Sequence, residues 1–496
     1  MLQPTIGLRG WFVLREVSMT ILMMCLLALA APLEIPVGKP GISMSDLVRS
    51  WAWVDRSLSS QERNLEERRS VSRRLDAMTQ LFFRNDIGSV AGFMDELALE
   101  SMLDGEPMDS HRVAAALLLT MGDRDGRPFI KARWRYRPPS TEQPVPFTLV
   151  LTPTRGQSHE LDMTLKSGQG RWLLCMEEDG LDSIPRDVTM DLHMKLADDI
   201  MIPQGRWERT TEPFSEARRR YLGALESIQD GHSKLMFRSR AARLVDRVPS
   251  MDITGHVLDR NKLRRELAIE LESLSRGDDP YRNRGGDIWY ELRPESGRLP
   301  MRLHVPEQVV SGSQPVPLLI ALHGAGGNEH FFMDGCGNGA IARLAEKHGI
   351  IVACPSTYVM ASSMEPLDTL IEELSARYPI DEDRIYLLGH SLGGMAAMGL
   401  AAARPDMIDG VVAIAGGAPF PRSADFPPVL AIAAERDFIV SGDMIESSAK
   451  AAKAAGAPIT PRRPDGTGHL TVVMDVLPES VEWLLDLPPR PSSDGH

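Results

Sequence analysis

The stretch RIYLLGHSLGG at residues 384–394 places the strongest constraint on how this chain folds. A short apolar run leads into Gly389-His-Ser-Leu-Gly393, which fits the pattern G-x-S-x-G, and an alanine-rich helical pattern follows to residue 403. Strand, tight turn and helix are the setting in which this pattern holds a nucleophilic serine. A Cβ at either glycine would collide with neighbouring backbone in so sharp a turn. The sequence therefore predicts that Ser391 stands at the apex of the turn as a nucleophile.

Beyond residue 286, short apolar runs alternate with helical patterns. Strands are predicted near 318–322, 350–353, 385–388, 411–414 and 429–433, with helices between them. This alternation is typical of a mostly parallel sheet with helices on both faces. Two further runs, near 288–292 and 301–305, predict an antiparallel start to that sheet. The sequence thus predicts an α/β domain over residues 286–487 and a short tail over 488–496.

Residues 32–280 contain no motif with recognisable chemistry. Helical patterns extend to about residue 121, strand patterns between 128 and 175 predict a small antiparallel sheet, and helical patterns resume over 213–275. The arginine-rich run 62–74 also carries glutamates, which predicts a solvated helix face. A glycine- and arginine-rich linker at 276–286 separates this mixed α+β region, whose role the sequence does not indicate, from the C-terminal domain.

The N-terminus has the composition of a secretory signal. Arg9 and Arg15 precede an apolar run over residues 21–31, which ends in small residues before Pro32. We interpret residues 1–31 as a signal peptide, so the chain is expected to be secreted or periplasmic, with no membrane insertion after cleavage. An uncleaved anchor is the alternative, and the true start is either Met1 or Met19.

Charge and cysteine content exclude several classes of protein. The net charge of −13 argues against nucleic acid as the main partner. After signal cleavage, three cysteines remain, Cys175, Cys336 and Cys354, and their spacing does not match a metal site. A pairing of Cys336 with Cys354 is left open, because spacing alone cannot establish it.

A nucleophilic serine needs a base and an orienting carboxylate. Only His469 and the terminal His496 follow Ser391 among the histidines, and His469 lies in a glycine-rich loop before the last helix. It is therefore the predicted base. Asp437 follows the strand at 429–433, at the sheet edge where sites of open α/β sheets gather. It is the predicted acid, with Glu435 and Asp443 as rivals.

The oxyanion formed during acyl transfer needs fixed N–H donors. The residue after the nucleophile, Leu392, is one predicted donor. A second is expected from the loop 323–328, where the amide of Ala325 is the first choice and that of Gly324 or Gly326 could replace it. Gly324, Gly326, Asn328 and His390 are the predicted substrate-binding residues.

These motifs together resemble a known superfamily. His323-Gly324 with Gly326-Gly327, the run 383–394, Asp437 and Gly468-His469 look like the α/β-hydrolases. They are most similar to secreted carboxylesterases of the feruloyl-esterase and polyhydroxyalkanoate-depolymerase type and to related phospholipase/carboxylesterases. The resemblance covers about residues 287–487. It implies an α/β-hydrolase fold and hydrolysis of a small-molecule or polymer-linked ester through an acyl-enzyme, without metal or organic cofactor.

Residues 415–427 separate two predicted strands and are rich in proline, with no helical period. Because no helical cap is expected there, the sequence predicts an open cleft unless the N-terminal half covers it.

Two other functions stay open. One is a serine peptidase of the prolyl-oligopeptidase type, which shares this sheet and order of residues. The other is a non-catalytic binding protein that uses a hydrolase scaffold.

Overall fold

The computed structural model describes residues 33–488 apart from 104, 125–126, 141–142, 155, 169–170, 177–183, 230 and 250–251. The predicted signal peptide, and all of the tail beyond residue 488, lie outside the described residues. The chain divides into two compact units: residues to Gly41 with Met108–Arg209, and Ile42–Pro107 with Thr210 onward. This division differs from the single predicted region 32–280, because residues 42–107 and 210–280 group with the C-terminal part of the chain rather than with the antiparallel strands.

The first unit is built mainly from antiparallel strands. Its elements are β1 (Leu33–Pro36), α4 (Asp109–Ala116), β2 (Leu117–Arg124), β3 (Arg127–Trp134), β4 (Val145–Pro153), β5 (His159–Gly168), β6 (Arg171–Met176), β7 (Val188–Lys195) and β8 (Met201–Arg209). Six strands form one sheet in the order β1-β6-β5-β4-β7-β8, and β2 pairs with β3. The prediction of a helix to residue 121 is wrong, because residues from Leu117 pair with β3 across a hairpin.

The second unit contains the eight-stranded sheet predicted for the C-terminal part. Its strands are β9 (Gly286–Leu292), β10 (Leu299–Val305), β11 (Val316–Leu322), β12 (Ile351–Pro355), β13 (Ile380–His390), β14 (Gly410–Ile414), β15 (Val429–Ile432) and β16 (Ile459–Arg462). Their order is β16-β15-β14-β13-β11-β12-β10-β9. β9 and β10 are antiparallel, as predicted, and the other six strands run parallel to one another. The predicted α/β fold is therefore confirmed.

Helices surround this sheet on both faces. Those before the sheet in sequence are α1 (Met44–Ser59), α2 (Leu65–Phe83), α3 (Ile87–Met102), α5 (Phe214–Leu225), α6 (His232–Ala241), α7 (Thr254–Val257) and α8 (Arg260–Ser275). The others are α9 (Glu307–Ser311), α10 (Phe331–Asp334), α11 (Ala340–His348), α12 (Thr357–Met360), α13 (Glu365–Ser375), α14 (Leu392–Ala403), α15 (Gly442–Ala454) and α16 (Thr471–Leu485). Within the described ranges, none of the helices is long and apolar enough to cross a membrane.

Both faces of the sheet are buried, which explains its continuous apolar strands. In β11, Leu318 and Ile320 join one hydrophobic cluster, whereas Leu319 and Ala321 join the cluster on the opposite face. Successive side chains of a strand point to opposite faces, so a strand covered on both sides must be apolar throughout. The order β12-β11-β13 also brings the carboxyl ends of β11 and β13 together where the strand order reverses, the usual site in open α/β sheets.

Helix α1 is attached to this unit by a buried carboxylate. Asp55 is 1% exposed and accepts the backbone N–H groups of Gly337 and Asn338, at 2.9 and 2.5 Å. The Trp51 indole donates to the carbonyl oxygen of Gly335 at 2.5 Å. Burial raises the pKa of Asp55 to about 6, although the two backbone N–H bonds oppose this shift. The ionised carboxylate is therefore held at an energetic cost near neutral pH.

The stability contributed at Asp55 should depend on pH. Because the pKa of Asp55 is raised in the folded state, folding binds a proton between about pH 6 and 4, and stability rises as pH falls through this range. Asp55→Asn removes the titration, so wild type should gain about 2 kcal/mol relative to this variant between pH 8 and pH 4. Urea denaturation at both pH values measures the difference. The exposed Asp425→Asn is the control, and an equal pH dependence in both comparisons would contradict the prediction.

Candidate active site

The turn at Ser391 has the strained geometry that its glycines predict. Ser391 has φ 55° and ψ −116°, a conformation that non-glycine residues rarely adopt. A Cβ at Gly389 would lie 2.1 Å from the carbonyl oxygen of Gly393, and one at Gly393 would lie 1.9 Å from that of Leu322. Both values are far inside van der Waals contact. The backbone therefore requires glycine at both positions, and it presents Ser391 between β13 and α14.

His469 and Asp437 are hydrogen-bonded to each other. The Nδ1 of His469 lies 2.7 Å from Oδ2 of Asp437, and their side chains are 5% and 0% exposed. The other oxygen of Asp437 accepts the N–H groups of Ile439 and Val440, at 2.8 and 2.7 Å. Because the carboxylate accepts, the proton on Nδ1 points towards it, and the Nε2 of His469 is left to act as an acceptor. This is the arrangement that a general base needs.

The two rival carboxylates are engaged elsewhere. Glu435 forms a two-pronged ion pair with Arg69, at 3.1 and 2.6 Å, and also accepts the N–H of Gly466 at 2.6 Å. The Arg69 guanidinium lowers the pKa of Glu435. Asp443 lies in the first turn of α15 with an 85% exposed side chain that pairs with Arg463. Of the three candidates, Asp437 is the one whose carboxylate contacts His469.

His390 connects the serine turn to the loop that carries His469. Its Nε2 donates to the carbonyl oxygen of His469 at 2.9 Å, and the two imidazole rings lie 4.7 Å apart. Burial and the neighbouring His469 hold the pKa of His390 well below its usual range, so the ring is neutral. His390 is 2% exposed and stacks on Phe331. The predicted substrate contact thus lies beneath the surface, where it braces the loop.

Ser391 follows directly after His390, whose ring lies beside that of His469, and His469 is hydrogen-bonded to Asp437. The structure therefore brings residues 391, 437 and 469 to one edge of the sheet. In the part of the chain that the structure describes, the Ser391 hydroxyl forms no hydrogen bond, including none to His469. Hydrogen bonds between nucleophile and base are commonly long in ligand-free enzymes and tighten when substrate binds. Ser391 is only partly buried.

The loop after β11 is tightly organised around its glycines. Gly326 donates its N–H to the Tyr358 hydroxyl at 2.7 Å, and Gly327 donates to the carbonyl oxygen of Gly324 at 3.1 Å. The Asn328 side chain accepts the N–H of His330 at 3.0 Å, so it stabilises the loop itself. Three backbone N–H groups are predicted candidates for the second donor to the oxyanion, and that of Gly326 already donates to Tyr358. The remaining candidates for this donor are therefore the N–H groups of Ala325, which is exposed, and of Gly324.

Helix α2 contacts three of these loops, which sequence reasoning missed. Asp76 accepts the N–H of His469, Arg69 pairs with Glu435, and the Phe82 ring would lie 2.7 Å from a Cβ at Gly326. Residues 415–427 form no helix, as predicted, and α2 borders the site from outside this segment. The prediction that residues 62–74 form a solvated face is wrong for Arg69. No local pattern reveals these contacts, since their partners lie more than 240 residues away.

Other predicted residues lie apart from this cluster. Cys336 and Cys354 are both buried free thiols, so the pairing left open above does not occur. His330 is buried against Trp289, with ring centroids 4.3 Å apart. Among the described residues, no group of three or more His, Cys, Asp or Glu side chains has a geometry that could hold a metal ion.

Comparison with known proteins agrees with this architecture. Residues 319–491 match the family described as "Alpha/beta hydrolase family". The predicted resemblance to α/β-hydrolases is therefore confirmed. A curated relative, "Putative esterase NocK" of Nocardia uniformis subsp. tsuyamanensis, is 30% identical over an alignment of 158 residues, and the match covers 27% of this chain and 44% of the relative. The chain thus spans less than half of that relative's length.

Solved structures also align with the chain. The S-formylglutathione hydrolase FrmB of Staphylococcus aureus is 16% identical, with a TM-score of 0.34, and the alignment covers 41% of this chain and 98% of the other. A mutant of the feruloyl esterase module of Clostridium thermocellum, complexed with sinapinate, is 11% identical, with a TM-score of 0.37. That alignment covers 42% of this chain and 91% of the other.

The close packing at the serine turn allows us to predict how two glycine substitutions change the stability of the fold. Gly393→Ala should destabilise the fold by about 3 kcal/mol, because the new methyl group meets the backbone of Leu322, which cannot rotate away. Gly399→Ala on the same helix is the matched control. A Cβ there meets nothing within 4 Å, so alanine should stabilise the helix by about 0.5–1 kcal/mol. Urea denaturation of both variants tests this, and equal stabilities would show that the turn is not crowded.

Proposed function

We propose that the C-terminal domain hydrolyses carboxylic esters, with Ser391 as nucleophile, His469 as general base and Asp437 as the acid that orients it. The observation that carries this proposal is the buried bond of 2.7 Å between His469 and Asp437, at the sheet edge that also presents the strained Ser391. The curated relative's name, a putative esterase, supports an ester rather than another acyl compound as substrate.

The proposed reaction proceeds in two halves. The Nε2 of His469 takes the proton of the Ser391 hydroxyl while its oxygen attacks the acyl carbon, and the imidazolium is stabilised by Asp437. Collapse of the tetrahedral intermediate breaks the bond to the alcohol oxygen, which receives the proton from His469. Water, activated in the same way, then attacks the acyl-enzyme, and the carboxylic acid leaves with Ser391 restored.

The oxyanion of each tetrahedral intermediate requires donors already in place. Leu392 stands at the first position of α14, where a backbone N–H has no partner within the helix. We assign it as one donor and Ala325 as the second, because the Gly326 amide is bound to Tyr358. Fixed amides are effective here because they need no reorientation when the charge forms.

The surroundings of the oxyanion loop favour an ester with an apolar group. Phe82 lies against Gly326 on one side, and the Tyr358 hydroxyl binds the Gly326 N–H. These rings offer apolar surface beside the reacting carbon. Since α2 borders this part of the site, we favour a small-molecule ester over a polymer-linked one, which needs an open cleft.

The two other candidate functions receive less support. A peptidase of the prolyl-oligopeptidase type usually carries a propeller of four-stranded blades. The described part of residues 33–209 forms one six-stranded and one two-stranded antiparallel sheet instead. A non-catalytic scaffold has no need of a serine in a strained conformation, which costs of order 1–3 kcal/mol.

Loss of either reacting residue should abolish activity. With p-nitrophenyl acetate, Ser391→Ala and His469→Ala should each lower kcat/KM by roughly four orders of magnitude, and the double variant by little more than either alone, because both residues serve the same step. Fluorophosphonate labelling should disappear in Ser391→Ala. Ser362→Ala, in a loop outside the site, is the control and should keep wild-type activity.

Two results would contradict the catalytic roles proposed for Ser391 and His469. One is labelling that persists in Ser391→Ala, which would place the nucleophile elsewhere. The other is a pair of losses that multiply in the double variant, which would mean that the two residues act in separate steps. Faster cleavage of a dipeptide anilide than of the ester would favour the peptidase.

We also propose that the chain is exported, because its first 31 residues have the charged, apolar and small-residue order of a signal peptide. Expression with an intact N-terminus should give a mature protein outside the cytoplasm that begins near residue 32. Mass spectrometry of the purified chain measures this start. A membrane-bound product that retains residues 1–31 would instead indicate an uncleaved anchor.

A further inference from the structure

A buried carboxylate on α2 binds both loops that carry the acid and the base. Asp76 is fully buried, with 0% exposure. Its Oδ1 accepts the N–H of His469 at 2.9 Å, and its Oδ2 accepts the N–H of Phe438, the residue after Asp437, at 3.2 Å. One side chain, more than 360 residues away in sequence, thus connects the base-bearing loop to the acid-bearing loop.

The contact between α2 and the base-bearing loop is close-packed. Ser72, one turn before Asp76, donates its hydroxyl to the carbonyl oxygen of Gly466 at 2.8 Å and lies 2.7 Å from the Thr471 hydroxyl. A Cβ at Gly468 would lie 2.9 Å from Oδ1 of Asp76 and 3.0 Å from Cβ of Ser72. Residues four apart share a helix face, so Ser72 and Asp76 hold the loop together.

The chemistry at this position calls for a carboxylate. Two N–H donors converge from two loops, and each needs its own acceptor, because a buried N–H without a partner costs free energy. A carboxylate supplies two acceptor oxygens, whereas an amide supplies one oxygen and a donor that would face the second N–H. Burial raises the pKa of Asp76 to about 6, and the charged groups that interact with it are Asp437 and His469.

We propose that Asp76 is a positioning residue, which holds the His469 loop against the Asp437 loop and keeps the imidazole aligned with its carboxylate partner. This inference rests on the proposed function, and it assigns a part of that function to the N-terminal helices. Asp76 acts through His469 and Asp437 rather than on the substrate. Its negative charge also favours the imidazolium that forms during the reaction.

Asp55 provides a matched control for the test. It too is a buried carboxylate on a neighbouring helix with a pKa of about 6, and it also accepts two backbone N–H groups. Its loop, however, carries neither Ser391, Asp437 nor His469. Asp76→Asn and Asp55→Asn therefore make the same chemical change at comparable burial.

The two variants should separate in p-nitrophenyl acetate hydrolysis at pH 8. Asp76→Asn should lower kcat about tenfold to a hundredfold, since a misaligned base slows proton transfer, and should change KM little. Asp55→Asn should keep kcat within about twofold of wild type, which is within the scatter expected for a site away from the chemistry. Equal kcat values for the two variants would overturn the proposal.

The pH profile is a readout that a purely structural role would not move. Removing the negative charge at position 76 favours the neutral imidazole, so the acidic limb of kcat/KM should shift to lower pH in Asp76→Asn. Asp55→Asn should leave that limb unchanged. An unshifted limb in Asp76→Asn contradicts the proposed electrostatic contribution.

Gly468→Ala reaches the same contact from the loop side and serves if Asp76→Asn does not fold. The added methyl group should push the loop away from α2 and lower kcat with little change in KM, and its loss should not multiply with that of Asp76→Asn. If Ser391→Ala is inactive while Gly468→Ala and Asp76→Asn behave like Asp55→Asn, the positioning role fails and the proposed function stands. If Ser391→Ala is active, the proposed function itself fails.

Discussion

The close contact of three backbone segments around Ser391 is the constraint on which the rest of the site depends. The carbonyl of Leu322 at the end of β11 presses against Gly393, and Gly416 after β14 lies where a Cβ would be 2.2 Å from the carbonyl oxygen of Ser391. Backbone segments can approach this closely only where glycine leaves no Cβ between them. Because neighbouring strands supply the segments, the serine has one position relative to the loop after β11, and the surrounding sheet sustains its strain.

Asp437 and His469 are held in a different way, by hydrogen bonds that satisfy buried polar groups. Asp437 accepts two backbone N–H groups besides His469, and His390 and Asp76 each bind the backbone of His469. Each of these bonds fixes a loop that has no regular secondary structure. Helix α2 therefore belongs to the site, although the whole antiparallel unit at 108–209 separates it in sequence from the other residues of the site.

Sequence patterns predicted secondary structure correctly where the buried residues of an element follow from that element's own repeat. The strands of the α/β domain are buried on both faces, and their apolar runs predicted them closely. The edge strand β16 was missed, because its sequence Ile-Thr-Pro-Arg is half exposed and has no apolar run. Residues 117–121 were assigned to a helix, because an apolar run fits either element until a partner strand is known.

The sequence by itself determined the serine turn and the parallel sheet, and it singled out His469 as the candidate base, because each follows from local chemistry or from the order of residues along the chain. Tertiary structure alone decided that Asp437 rather than Glu435 contacts the histidine, since Arg69 of a distant helix neutralises Glu435. It alone also placed Asp76 beneath the loop that carries His469. A single aspartate on a charged helix carries no mark of its partners, which become neighbours only when the helix packs against the sheet domain.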